Sequence, residues 1–208
     1  MIKKLTALFS ILTLGAALSG VAYSQNKSYT EIKPTIATAD ADKVEVIEYF
    51  WFGCPHCFRF EPDINQWAES KPSHVEFIRE APPLNRNWRA HSEAFYAAQV
   101  MGVTDIMFEP FFNAIHVKRQ RLNTADAIGD FVTKLGIDGK AFMKTMKSFE
   151  VDKRIRQAMQ KARDAGISSV PSVVINGKYL TSGSMAGSNK KVIQVMKGLI
   201  AREYKAMN

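Results

Sequence analysis

Val44-Glu45-Val46-Ile47-Glu48-Tyr49-Phe50-Trp51-Phe52-Gly53-Cys54-Pro55-His56-Cys57 is the stretch on which the fold turns. Its first seven residues are rich in β-branched and aromatic side chains and read as a strand. Trp51-Phe52-Gly53 makes a short connection. Beyond the second cysteine, Phe58, Phe60, Ile64 and Trp67 predict a helix with one apolar side, and Pro62 within it is expected to kink it. Cys54 therefore stands at a strand-to-helix junction. The first turn of a helix has N–H groups without intrahelical partners, and the helix dipole adds partial positive charge there. Such a place favours an anion, so the Cys54 thiol is expected to have a lowered pKa. His56 adds a donor, or a positive charge, one residue short of the second thiol. Position alone predicts an exposed Cys54 and a Cys57 shielded in the first turn.

These are the only two cysteines among 208 residues. The spacing suits a redox dithiol, half of a metal site, or a small structural loop. Closing a four-residue loop contributes only about 2 kcal/mol in the chain-entropy model, which weakens the structural reading. A zinc site needs two more ligands. No second C-x-x-C exists, and His74, His91 and His116 are scattered without the paired spacing of zinc-binding histidines. No metal site is assigned.

Residues 1–24 read as a secretory signal peptide. Lys3 and Lys4 open it, an apolar uncharged run follows from Leu5 to Leu18, and Ala22-Tyr23-Ser24 is a small-x-small cleavage site, placed to within a few residues. The apolar run is shorter than the roughly 20 residues a membrane-spanning helix needs. Export puts both cysteines where disulfides form and persist. The remaining chain of about 184 residues is long enough to bury a substantial core without a covalent staple. Lys and Arg number 28 against 20 Asp and Glu, a formal charge of +8. The basic clusters Lys118, Arg119, Arg121 and Lys153, Arg154, Arg156 read as solvated helix faces, with a weak attraction to anionic membrane surfaces. No nucleic-acid-binding motif is present.

The segment Glu48-Tyr49-Phe50-Trp51-Phe52-Gly53-Cys54-Pro55-His56-Cys57 resembles the active-site segment of the DsbA family, bacterial periplasmic thiol:disulfide oxidoreductases with a thioredoxin fold. The Pro-His pair between the cysteines is the one typical of that family. Far downstream, Gly166-Ile167-Ser168-Ser169-Val170-Pro171-Ser172-Val173-Val174-Ile175-Asn176-Gly177-Lys178-Tyr179 resembles the family's cis-proline loop and the hairpin after it, with Ser172 where many relatives carry Thr or Ala. The resemblance implies Cys54 and Cys57 as the catalytic pair, joined as a Cys54–Cys57 disulfide in the resting protein, with Pro55, His56 and Glu48 in support. It implies a substrate-binding loop at Val170 and Pro171, where an extended peptide pairs with the backbone. It also implies reduced, unfolded secreted proteins as substrates and a DsbB-like, quinone-linked membrane oxidase as the reoxidising partner. No cofactor beyond the redox-active disulfide is expected, and the chain is expected to act as a monomer.

The rest of the chain fits that frame. Residues 27–33 and 75–78 read as short strands. From residue 87 to about 165 the pattern is helical. Ala90, Ala94, Ala97, Ala98 and Met101 share a helix side stopped by Gly102; Phe108, Phe111, Phe112 and Ile115 mark a second helix. Thr124 caps a third that carries Ile128, Phe131, Val132 and Leu135 and ends before Gly136. Val151, Ile155, Met159 and Ala162 mark a long helix ending near Gly166. Asn176-Gly177 is a strong hairpin signal. Val192, Val195, Met196, Leu199 and Ile200 give an amphipathic C-terminal helix. The predicted fold is α/β, a thioredoxin fold with an inserted all-helical domain: residues 25–85 form its first part, 86–165 the helical insertion and 166–208 its second part.

Glu48 lies six residues before Cys54 in an otherwise apolar strand. It is either exposed at an edge or buried with a raised pKa, unless a partner offsets the burial. In thioredoxin-like proteins an acid at this offset assists proton transfer at the buried thiol. Arg79 is a candidate partner. Two rival functions share the motif. One is a disulfide isomerase or reductase, the same chemistry run in another direction; isomerases of this kind usually carry a dimerisation domain, for which no segment is spare. A thiol metallochaperone or holdase would bind without turnover, and the methionines expected beside a copper site are missing from the motif.

Overall fold

The computed structural model describes residues 28–207; the signal-peptide reading lies outside that range. Five strands form one sheet. In chain order they are β1 (Thr30–Glu31), β2 (Val44–Tyr49), β3 (Val75–Glu80), β4 (Ser172–Ile175) and β5 (Tyr179–Ser182), and in space they run β1-β5-β4-β2-β3. β2 pairs parallel with β3 and antiparallel with β4, so its strand neighbours come from both ends of the chain. Helix α1 (Pro55–Glu69) makes the crossover from β2 to β3, as a parallel pair requires. The helical block contains a 3₁₀ turn (Arg86–Trp88), α2 (Arg89–Met101), α3 (Thr104–His116), α4 (Ala125–Lys134), α5 (Gly139–Met146) and α6 (Phe149–Asp164). A short α7 (Gly183–Ala186) and a long α8 (Asn189–Met207) close the chain.

β2 is buried along its whole length, and its two faces serve different cores. Val44 and Val46 pack with Phe60, Ile64 and Trp67 of α1 and with Val192, Met196 and Leu199 of α8. Ile47 and Tyr49 face the other way, onto Ala162, Ala165 and Ile167 at the end of α6. Side chains alternate along a strand, so Glu48 shares the α1 face with Val44 and Val46. Past the strand end, Phe50 and Phe52 enter a third core built with Phe95, Phe108, Phe111 and Phe112 of α2 and α3. Both cysteines belong to that core.

The first strand is only two residues long rather than spanning 27–33; it ends before the cis Lys33–Pro34 bond, and Lys27 lies outside the described residues. β3 extends two residues further than expected, to Glu80, carried by its parallel register with β2. α1 continues through Pro62 as a single helix. Helix α5 was not separated out in the sequence; its apolar residues Phe142 and Met146 form too short a stripe to stand apart. On α6, Ala158 takes a buried position and Met159 lies at its margin. Thr124 does cap α4, accepting from Ala127 N at 3.3 Å. The hairpin turn has positive φ at both Asn176 (51°) and Gly177 (62°). A side chain at 177 would also meet the carbonyl oxygen of Ile36 at 2.1 Å, so this turn requires glycine.

Candidate active site

Cys54 is the N-cap of α1, with Pro55 as the first helical residue, a position where the missing N–H costs nothing. Its Sγ accepts from Cys57 N at 3.4 Å. The thiol is drawn down to about 6, chiefly by its hydrogen bond with the Cys57 thiol. The backbone N–H groups of Cys57 and His56 and the charge of His56 add to this, while burial opposes it. Cys57 is fully buried, and its thiol is pushed far up by desolvation, by Cys54 and by the charge of Glu48. Both cysteines are free thiols, so the structure is that of the dithiol form.

The expectation of an exposed Cys54 is corrected. Only 7% of its surface is accessible, because the loop before β4 lies over it. Cys54 Sγ donates to the carbonyl of Val170 at 3.5 Å, across 116 residues of sequence, and the Val170–Pro171 bond is cis. A cavity of about 420 Å³ opens beside this contact. His56, Val170 and Pro171 line it, with Ser169, Ser182, Ser184 and Asn189 among its polar wall. The His56 side chain is exposed, with Arg59 donating to its Nδ1 at 2.9 Å. His56 acts on Cys54 first through its backbone.

Glu48 is fully buried, and its Oε2 accepts from Arg79 Nε at 2.9 Å. The same guanidinium donates to Glu61 Oε2 at 3.2 Å and to Asn65 Oδ1 at 2.5 Å. Glu48 Oε1 and Glu61 Oε1 are buried without a hydrogen-bond partner. One cation therefore serves two carboxylates, and burial outweighs it at both. Glu48 is raised by desolvation, and Glu61 is raised to about 8 by desolvation and then by Glu48. Glu61 and Asn65 also line a second cavity, of about 600 Å³. A buried acid thus stands near the inner thiol, with a second between it and that cavity.

Sequence reasoning missed Glu61 and Asn65, which look like ordinary helix polar residues. It also missed two props of the motif: Trp88 stacks on Trp51 with ring centres 4.5 Å apart, and His116 Nε2 bonds the carbonyl of Phe52 at 2.7 Å. His91 is buried against the carbonyl of Leu122, and His74 stacks on Tyr204. Among the described residues no group of three or more His, Cys, Asp or Glu is placed to hold a metal.

A mixed sheet, a C-x-x-C pair at the N-terminus of its crossover helix and a proline loop over the first sulfur together define a thioredoxin-fold dithiol:disulfide oxidoreductase. Comparison with known proteins narrows this. Residues 63–191 match the family described as the DSBA-like thioredoxin domain. The thiol:disulfide interchange protein DsbA of Azotobacter vinelandii is 36% identical over 97% of this chain and 94% of its own length. The protein of the same name from Burkholderia cepacia is 36% identical over 95% of both. The crystal structure of Pseudomonas aeruginosa DsbA superposes with a TM-score of 0.82 at 33% identity, covering 87% of this chain and 94% of that one. The chain belongs to the DsbA-like thioredoxin family of thiol:disulfide oxidoreductases.

Proposed function

We propose that the protein is a periplasmic dithiol oxidase. It donates a Cys54–Cys57 disulfide to newly secreted proteins and is reoxidised by a quinone-linked membrane oxidase of the DsbB kind. The observation that carries this reading is the split between the two thiols: Cys54 is drawn down to about 6 at the helix end, while Cys57 is buried and pushed up.

The chemistry runs in two displacements. A substrate thiolate attacks Cys54 Sγ; a substrate–Cys54 bond forms and the Cys54–Cys57 bond breaks. Cys57 leaves as a thiolate in a dry site where charge is costly, so it needs a proton. We assign that role to Glu48; in support, Arg79 holds its carboxyl, and Glu61 shares that arginine and lines the neighbouring cavity. A second substrate thiolate then attacks the substrate sulfur of the mixed disulfide. The substrate disulfide forms, and Cys54 leaves as an anion held by the first-turn N–H groups. Two electrons have passed from substrate to enzyme. A thiol of low pKa is a good leaving group, so the second step is fast and the oxidised enzyme is a strong oxidant. That link between low thiol pKa and oxidising strength is the one drawn for DsbA itself. The bound peptide lies in the cavity beside Val170 and Pro171, presented to the sulfur by strand-like pairing.

The test is refolding of a reduced multi-cysteine protein with stoichiometric oxidised enzyme. The parent enzyme is expected to generate native disulfides and Cys54→Ser to generate none; Cys57→Ser, which cannot form the internal disulfide, is given the already oxidised protein, and its Cys54 thiolate is expected to open a substrate disulfide and hold that substrate as a covalent complex that reduction releases. Equal refolding with and without Cys54 would instead identify a holdase.

A further inference from the structure

We propose that a cleft lined by four arginines, between the 3₁₀ turn and α6, is a docking site for an anionic phospholipid surface. It holds the enzyme against a membrane at the end that carries the thiols. The inference rests on the exported location proposed above, which brings such a surface within reach.

The cleft encloses about 670 Å³ and is lined by Arg86, Arg89, Arg156 and Arg163, with Pro83, Ile155 and Met159 as its apolar part. Two carboxylates answer the four guanidinium groups. Asp152 pairs with Arg89 at 2.8 Å and with Arg156. Glu93 pairs with Arg89 at 3.1 Å and is shared with Lys147. Arg86 and Arg163 meet no carboxylate among the described residues; Arg163 donates to Gln160 at 2.6 Å. The pocket therefore keeps a positive excess around an apolar floor.

The rim supplies the second observation. Phe149 is 76% exposed, the most exposed large apolar side chain among the described residues, and the Arg156 guanidinium lies 5.7 Å from its ring centre. Phe149, Asp152, Arg156, Met159 and Arg163 follow one another at spacings of three and four, so they occupy one face of α6. The adjoining face buries Val151, Ala158 and Ala162, with Ile155 buried at the border where that face meets the cleft. An outward stripe that mixes an aromatic ring, a methionine and arginines is poorly suited to water alone. It suits the headgroup layer, where rings and aliphatic stems enter the acyl boundary and guanidinium groups meet phosphate. An acidic polypeptide would satisfy the arginines but gives no use for the exposed ring. The cleft also adjoins the motif. Arg86 and Arg89 flank Trp88, and Trp88 stacks on Trp51, three residues before Cys54.

Flotation with phosphatidylglycerol vesicles tests this, with phosphatidylcholine vesicles as reference. The full mature chain is expected to float with the anionic vesicles at low salt, to be released by high salt, and to ignore the neutral ones. Arg86→Ala/Arg163→Ala should weaken partitioning about 25-fold, at about fivefold per charge. The control Lys134→Ala/Lys140→Ala removes equal charge from exposed sites on α4 and α5 and should change it less than about threefold. In Phe149→Trp, acyl-brominated phosphatidylglycerol should quench the added indole beyond the quenching seen in the parent. Oxidation of a soluble peptide dithiol should be unchanged in every variant, which separates this inference from the oxidase reading. Equal losses in the arginine pair and the lysine control would overturn the proposal, as would an indole at 149 that the brominated chains leave untouched.

Discussion

The two sulfurs of the active site lie within one helical turn, yet they differ in what surrounds them. Cys54 meets the N–H groups of the helix start, and Cys57 meets hydrocarbon and a buried acid. Alkylation followed by mass mapping is expected to show Cys54 reacting with a midpoint near pH 6 and Cys57 unreactive in the folded protein. Equal modification of both would remove the basis of the mechanism. The same asymmetry sets a stability balance. The Cys54 thiol falls from its ordinary value of 9.0 to about 6 on folding. A depressed folded value stabilises the dithiol form fully above the unfolded pKa, and that stabilisation is lost as pH falls through the folded one. From Cys54 alone it amounts to about 1.4 kcal/mol at pH 7 and about 3 kcal/mol at pH 8.5; above pH 9 Cys57, whose thiol the fold holds protonated, offsets part of it. The disulfide competing with it closes a four-residue loop, worth about 2 kcal/mol. Urea unfolding is therefore expected to place the two redox forms close together at pH 7, with the reduced form ahead from about pH 8. An oxidised form that stays more stable at pH 8.5 contradicts the assigned thiol. For Glu48→Gln, release of Cys57 should slow by about 100-fold, at the lower end of general acid–base effects, with the Cys54 alkylation midpoint little moved. Stopped-flow Trp fluorescence during peptide oxidation reads this directly. Glu48 stood out in the sequence as a charge in an apolar strand. Glu61 gave no such signal, because a glutamate among helix polar residues looks the same whether it faces water or an arginine arriving from β3.

At the scale of elements, turns and caps were the most legible features, because a single residue type carries each. Thr124, Gly102, Gly136 and Gly166 all mark helix ends where the chain placed them. Stripes were less reliable where the helix is short: α5 merged with its neighbours, and Met159 looked like core although it borders a cleft. The hairpin between β4 and β5 is the element most exposed to a single change. Gly177→Ala combines a positive φ with a clash against the Ile36 carbonyl. It should cost at least about 1–2 kcal/mol, seen as a lower urea midpoint with an unchanged slope. A midpoint within error of the parent would mean that the loop at Ile36 yields freely.

For the molecule as a whole, the helical block is part of the active site rather than a lid resting on it. Phe50 and Phe52 leave the sheet and become the centre of the helical core, and His116 ties the block back to the motif through Phe52. Phe52 touches the rings of Phe50, Phe95, Phe108, Phe111 and Phe112. Phe52→Ala should cost about 3–5 kcal/mol and lower the stability of both parts in one transition, followed by far-UV signal and by Trp fluorescence. Two separate transitions would show that the block unfolds independently. The sequence conveyed the order of strands, helices and strands, and so the insertion. It could not convey the shared core, since Phe50 and Phe52 look like a continuation of the strand.

The strand order also has a meaning in time. β2 is complete by Tyr49, but its antiparallel partner, β4, begins at Ser172, and the carbonyl that receives Cys54 belongs to Val170. A chain threaded across a membrane N-terminus first would deliver its cysteine pair more than a hundred residues ahead of the parts that complete the site. Throughout that interval it carries two ordinary thiols on an unfinished sheet. Such a newborn copy would be a client before it is an enzyme, its first disulfide having to come from outside its own unfinished site.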